Sequence, residues 1–212
     1  MEFMKRYIAD CHFSHQALLT SMDHRPFETV EEMNEHMILR WNETVRRGDE
    51  VFILGDFSFA KANETAEILS RLNGTKHLII GNHDYYLSDK HFPQDLFVWT
   101  ERYREIHDNR RKVILCHYPV FCYPGQYRKS LKDGPYAYML YGHVHNTRDE
   151  RLVNRFISET RETSYMPMDG TEEEKILCNM INCFCMFSDY RPLTLEEWIE
   201  VDRARREKMN EQ

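Results

Sequence analysis

Five short apolar runs, each ending at a Gly, Asp, Asn or His cluster, constrain this chain more than any other feature. They are residues 4–9 (MKRYIA), 51–54 (VFIL), 77–80 (HLII), 113–116 (VILC) and 138–141 (YMLY). Runs this short, bounded this way, read as buried strands. Between the first two, Thr29 with Glu32 three residues on forms a capping box. Val30, Met33, Met37, Trp41 and Val45 then keep helical spacing until Gly48, which predicts a helix over about 30–47. Asn63 is placed to cap a second helix that presents Ile68, Leu69 and Leu72 on one side before Asn73-Gly74 ends it. The resulting order, β-α-β-α-β, predicts a parallel sheet with helices on its faces and ligands outside the carboxyl ends of its strands.

The second half has a different texture. Residues 96–99, 103–107 and 113–116 lie too close together for crossover helices, so antiparallel pairing is expected there. The polar stretch 158–174, with Pro167 and Gly170, reads as an exposed excursion between the strand-like segments 152–157 and 176–186. Thr194 with Glu197 forms a second capping box, opening a terminal helix that buries Leu195, Trp198 and Ile199; from about Arg203 onward the chain reads as a solvated end. With no internal repeat, low-complexity tract or linker, a single domain over residues 1–212 is expected, and 42% hydrophobic residues suffice for one core.

Charge and cysteine usage narrow the function. Lys and Arg number 28 against 35 Asp and Glu, a net charge of −7 that disfavours a polyanion binder resting on bulk positive charge. No apolar run approaches the roughly 18 residues of a membrane span, and the opening MEFMKRYIADCHF lacks the pattern of a cleaved leader. Six cysteines, at 11, 116, 122, 178, 183 and 185, fall short of a disulfide scaffold and fit reduced thiols in a cytoplasm. The unusual count is eleven histidines.

Five of those histidines stand at predicted strand exits, in Asp10-Cys11-His12, Gly81-Asn82-His83-Asp84, Cys116-His117 and Gly142-His143-Val144-His145, with Gly55-Asp56 completing the series. Oxygen and imidazole donors gathered on one sheet edge suit Mn²⁺, Fe or Zn²⁺, and no Cys pair stands at the spacing of a structural zinc site. In Asp10-x-His12 and His143-x-His145, an extended backbone would put both side chains on one side, within reach of one metal or two adjacent ones. The glycines at 55, 81 and 142 would let the backbone turn sharply or approach an anion closely.

Taken in order, DCH, GD, GNHD, CH and GHVH resemble the calcineurin-like metallophosphoesterase superfamily over residues 10–145. Within it, DCHFSH, RPF at 25–27, LGDFSF and GNHD are similar to small, single-domain bacterial and phage-type phosphoesterases. The resemblance implies an α/β (α+β) fold: a β-sandwich with mixed sheets, flanked by helices, carrying a two-metal centre. By motif it implies that Asp10, His12 and His145 hold one divalent ion, Asn82, His117 and His143 the other, and that Asp56 bridges them. The ions would be Mn, Fe, Zn or Ni, since this donor set accepts all four. A metal-bridging hydroxide would attack phosphorus in line while the cations neutralise the non-bridging oxygens. His83 would protonate the leaving oxygen or bind the phosphoryl group, with Asp84 orienting its imidazole.

Other residues carry weaker signals. His15 stands beyond the first ligand pair, to bind substrate phosphate or to serve as an ordinary second-layer histidine. Arg25, held extended before Pro26, offers a planar fork to a phosphate oxygen, with a salt bridge as the alternative. Cys11 reads as buried wall. Tyr123, Tyr127, Arg128 and Lys132 form either a stacking platform for a base or a solvated loop. Cys183 and Cys185 read as alternating, buried strand residues; His24, His36, His77, His91 and His107 are assigned no role.

The leading function is therefore a metal-dependent phosphoric ester hydrolase, phosphodiesterase or phosphatase, acting on a small, possibly nucleotide-like substrate. A nuclease or nucleic-acid-end processing enzyme is the alternative, lowered by the −7 charge. A non-catalytic scaffold of the same fold conflicts with the complete candidate ligand set. No membrane partner is expected.

Overall fold

The computed structural model describes residues 3–130, 134–168, 170 and 172–210. Lys132 lies outside them, as do residues 169 and 171 of the polar stretch. The strands are β1 Lys5–Ile8, β2 Glu50–Ile53, β3 Thr75–Ile79, β4 Thr100–Glu101, β5 Tyr103–Asp108, β6 Arg111–Cys116, β7 Lys129–Ser130, β8 Gly134–Pro135, β9 Ala137–Tyr141, β10 Ser164–Tyr165, β11 Glu174–Lys175 and β12 Met180–Asn182. The helices are α1 Ala17–Thr20, α2 Val30–Thr44, α3 Ala62–Arg71, α4 Arg148–Glu162 and α5 Leu195–Asn210.

Two four-stranded sheets carry the fold. The first runs β1-β2-β3-β4, all parallel. The second runs β12-β9-β6-β5, with β5 antiparallel to β6 and the other pairs parallel. Period-two alternation assigns each strand's side chains to a layer. Phe52 and Leu54 meet Val113, Leu115 and Leu140 in the core between the sheets, closed by Leu195 and Trp198. Val51 and Ile53 turn outward, onto Met33, Met37 and Trp41 of α2 and Leu69 of α3. On the second sheet Ile114 and Met139 turn outward onto Val153 and Ile157 of α4. This is the helix-flanked sandwich that the resemblance implies, with one sheet parallel and the other mixed.

Several local expectations need correction. Helix α2 ends at Thr44, where Val45 turns extended, three residues short of the predicted end. The Thr29 hydroxyl accepts from the Glu32 N–H as expected, but the Glu32 carboxylate reaches the N–H of Glu28. Asn63 lies inside α3; Lys61 precedes that helix and contributes no side-chain cap. The segment 152–157 is helical, within α4, because its apolar residues pack at helical spacing and Thr147 caps the start by accepting from the Asp149 N–H. Residues 158–162 complete that helix, and β10 pairs with β11 in a small hairpin. The segment 176–186 supplies only the short β12 and the start of a 3-10 turn over Cys185–Ser188, so Cys183 and Cys185 do not alternate along one strand, although both are buried.

The antiparallel expectation holds for β5 and β6, whereas residues 96–99 run from a 3-10 turn into β4, parallel to β3. The terminal capping box is complete, with Thr194 N–H and Glu197 N–H each donating to the other residue's side chain. Its helix does not dissolve at Arg203: the Arg205 guanidinium lies 3.3 Å over the Phe187 ring and 3.0 Å from Glu150. All six cysteines are free thiols. Among the described residues no helix is long and apolar enough to cross a membrane.

Candidate metal centre

The carboxyl ends of β1, β2, β3, β6 and β9 deliver Asp10, Asp56, Asn82, His117 and His143 to one edge of the sandwich. The local backbone is not extended, as the i, i+2 argument supposed. Asp10, His12, Asp56, His143 and His145 all have positive φ, at 55°, 50°, 51°, 71° and 47°. Left-handed backbone at a residue with a Cβ costs about 1–3 kcal/mol and persists where surrounding structure imposes it, commonly at functional sites. Five such residues in one cluster mark this edge as the place where stability is given up for geometry.

The side chains converge closely. Ligand-type atoms of Asp10, His12 and His145 lie within 4.8 Å of one another, as do those of Asp10, Asp56 and His117, so either group could hold a metal ion. Asp56 Oδ2 is 3.5 Å from both His12 Nε2 and His117 Nε2. On the other side Asn82 Oδ1 is 3.0 Å from His117 Nε2 and 2.9 Å from His143 Nδ1. The tautomers follow from the partners. His117 Nδ1 faces the Leu54 carbonyl at 2.8 Å and His145 Nδ1 faces Asp23 Oδ1 at 2.8 Å, and since both oxygens only accept, each Nδ1 carries the proton. Each Nε2 is thereby the nitrogen turned into the cluster, the atom that would bind a metal once its own proton is lost.

The charges are shared unequally. Burial pushes the Asp10 carboxyl up to about 6 against the pull of His145 and His117. Burial also opposes ionisation of Asp56, but the hydrogen bond from His117 and the nearby charges of His117 and His12 outweigh it and hold this group at about 2. His117 rises to about 9, because Asp56 and Asp10 overcome its burial.

Two sequence expectations are revised here. Asp84 does not orient the His83 imidazole. Its buried carboxylate accepts from the N–H groups of Gly81 at 2.7 Å, Phe57 at 2.9 Å and Asp56 at 3.0 Å, tying the β2 and β3 exits together. His83 instead packs against Phe59 and Tyr85, with Nδ1 buried and without a hydrogen-bond partner among the described residues. Arg25 does not face a substrate: it is 2% exposed, and its guanidinium donates to the carbonyls of Cys11 at 2.7 Å and Asp10 at 3.0 Å and to Asp23. Those donors are spent on shaping the β1 exit. His15 lies half-buried at the rim, stacked on Phe59 at 3.8 Å. Cys11 is buried wall, as expected.

The loop of Tyr123, Tyr127 and Arg128 contributes nothing to the cluster. Tyr123 is buried and accepts from the Asn179 N–H, Tyr127 meets Tyr165, and Arg128 lies over Tyr136. Asp23 is the residue beside the cluster that motif reading missed. It bonds both His145 and Arg25, and its place two residues before Arg25 carries no spacing signal for either contact.

Glycine is required at the strand exits, including Gly142, where a Cβ would sit 2.5 Å from Asp10 Oδ2. At Gly55, where φ is +87°, a Cβ would sit 2.3 Å from His117 Nδ1, and at Gly81 it would sit 2.2 Å from Asp56 Oδ1 and 2.5 Å from the Asp56 nitrogen. Gly81→Ala should therefore destabilise the fold by about 1–3 kcal/mol through overpacking and displace the Asp56 carboxylate. Thermal unfolding and elemental analysis check this: a variant with wild-type midpoint and metal content would show that the contact is not restrictive.

The calcineurin-like phosphoesterase superfamily domain matches residues 7–158. The chain belongs to this superfamily. An uncharacterized protein, MJ1445, of Methanocaldococcus jannaschii is 36% identical over 154 residues, 71% of this chain and 75% of that protein. A crystal structure of a protein of unknown function, AQ665 from Aquifex aeolicus, superposes with a TM-score of 0.61 at 20% identity, covering 94% of this chain and all of the other. That likeness confirms the fold. The superfamily and the Asp/His groups together fit a metal-dependent phosphoesterase.

Proposed function

We propose that this phosphoesterase works at a two-metal centre and hydrolyses a phosphodiester or phosphomonoester of a small substrate. One divalent ion would be held by Asp10, His12 and His145, the other by Asn82, His117 and His143, with Asp56 between them. The observation that carries this reading is the position of Asp56 Oδ2, 3.5 Å from an imidazole of each set. The donor set also fits cations on its own chemistry. Two buried carboxylates crowd together beside the Nε2 atoms of His145 and His117, with the Asn82 amide oxygen 3.0 Å from His117 Nε2, and a cation would take the place of the protons these imidazoles otherwise share with the carboxylates.

Mn, Fe, Zn or Ni all suit such mixed oxygen and imidazole donors. Divalent ions in this position supply the positive charge that neutralises non-bridging phosphoryl oxygens and lowers the pKa of water. The chain's own residues do the rest. Asp56 Oδ1 accepts from the His83 N–H at 2.7 Å, which fixes the carboxylate and leaves Oδ2 for the cluster. Asp23 holds the His145 ring, and Arg25 holds Asp23. His83, whose Nδ1 is buried, has Nε2 left to give a proton to the leaving oxygen or to bind the phosphoryl group. With all six thiols free, the reading extends to a reduced, cytoplasmic setting.

The test is hydrolysis of bis-p-nitrophenyl phosphate and of p-nitrophenyl phosphate by protein loaded with Mn²⁺, with metal content measured in parallel. Two equivalents bound and metal-dependent release from either ester are expected. Two equivalents bound with no release from either ester, under each of the four metals, would leave the scaffold reading standing.

A further inference from the structure

The cleft over the metal centre encloses about 480 Å³, and none of its twelve lining residues is Lys or Arg. Two of them, Asp23 and Asp149, are carboxylates beyond the metal-ligand candidates. Asp23 is neutralised by Arg25 behind it. Asp149 is different: it stands exposed in the first turn of α4. It has no ion-pair partner among the described residues. The open wall beside it is otherwise built of uncharged groups, among them Ser21, Met22 and Thr147.

We infer that the cleft selects phosphoesters whose only negative charge lies on the reacting phosphoryl group, with an uncharged or cationic remainder, and that Asp149 enforces this choice. This rests on the phosphoesterase reading above. Proteins that follow a phosphate backbone do so with Lys and Arg at each phosphate, and this cleft provides none next to its centre. A second anionic group on the substrate would meet Asp149 without a counter-charge, and rejection by an uncompensated like charge is an effective route to specificity. The chain's overall −7 charge acts in the same sense at longer range.

The experiment compares thymidine 5′-monophosphate with thymidine 3′,5′-bisphosphate as competitive inhibitors of whichever p-nitrophenyl ester the Mn²⁺-loaded protein hydrolyses. The pair differs by one remote phosphate. Despite its two chances to engage the metals, the bisphosphate should bind about tenfold more weakly at low salt, the scale of one unit-charge repulsion across a solvent-facing cleft. The gap should shrink as ionic strength rises. Asp149→Asn should narrow the ratio and Asp149→Lys should reverse it. Glu207→Lys, in a separate cleft against Tyr138, makes the same change in net charge and should leave the ratio unaltered.

Equal inhibition constants in the wild type, or a ratio unmoved by both Asp149 variants, would overturn the inference while leaving the phosphoesterase reading intact. An equal effect of Glu207→Lys would reduce it to overall charge and overturn Asp149's part. Absence of turnover with every p-nitrophenyl ester would instead remove the phosphoesterase reading, and this inference with it.

Discussion

Asp56→Asn is expected to reduce bound metal from two equivalents to one and to lower turnover by more than about 10³-fold. The side chain keeps its size, and its oxygen can still accept from the His83 N–H, so the loop should hold. What is lost is the charge at Oδ2, which lies 3.5 Å from the imidazoles of both clusters. The neutralisation that a second cation supplies to the transition state is worth several kcal/mol, and each 1.36 kcal/mol is tenfold in rate. Asp10 is shared by both potential metal groups, whereas His12 belongs to one of them and His143 to neither, so His12 or His143 variants should lose less. Elemental analysis and kinetics decide it: two equivalents with near-normal turnover would refute the bridging assignment.

For His83→Ala the metals should stay while the rate falls by roughly 10²- to 10⁴-fold, the range of general acid catalysis. The imidazole belongs to neither potential metal group, and it packs against Phe59, Tyr85 and the ring of His12. A proton delivered to the leaving oxygen matters least when the leaving group is already a stable anion. The loss should therefore shrink across a series of aryl esters as the leaving phenol becomes more acidic. An equal loss across the series would assign His83 to phosphoryl binding, and loss of metal would make it part of the scaffold.

The contrast between Asp84 and His83 shows where motif reading reaches its limit. Both stand in GNHD, and adjacency suggested that the carboxylate serves the imidazole. In the fold the Asp84 carboxylate turns to three backbone N–H groups of the β2 and β3 exits, because those donors would otherwise be buried and unpaired. Arg25 repeats the lesson. A planar fork beside Pro26 suits phosphate equally well as backbone carbonyls, and only burial beneath Asp10 and Cys11 selects the carbonyls.

What the sequence determined by itself is the strands β1, β2, β3, β6 and β9, their alternating faces and the residues at their carboxyl ends. Val51, Phe52, Ile53 and Leu54 each have one possible layer once the run is a strand, because successive side chains must point oppositely. Asp10, Asp56, Asn82, His117 and His143 then follow as one cluster, since parallel strands end on the same edge. The tertiary structure decided whatever depends on a partner distant along the chain. The apolar segment 152–157 fits strand or helix until Ile114 and Met139 present a face for Val153 and Ile157 to cover. Asp23 becomes the partner of His145 across 122 positions, and Asp149 becomes a wall of the cleft because α4 starts just after His145, the last of the candidate metal ligands. Periodicity is local and survives in the sequence, whereas the choice among hydrogen-bond and charge partners is a property of three-dimensional proximity.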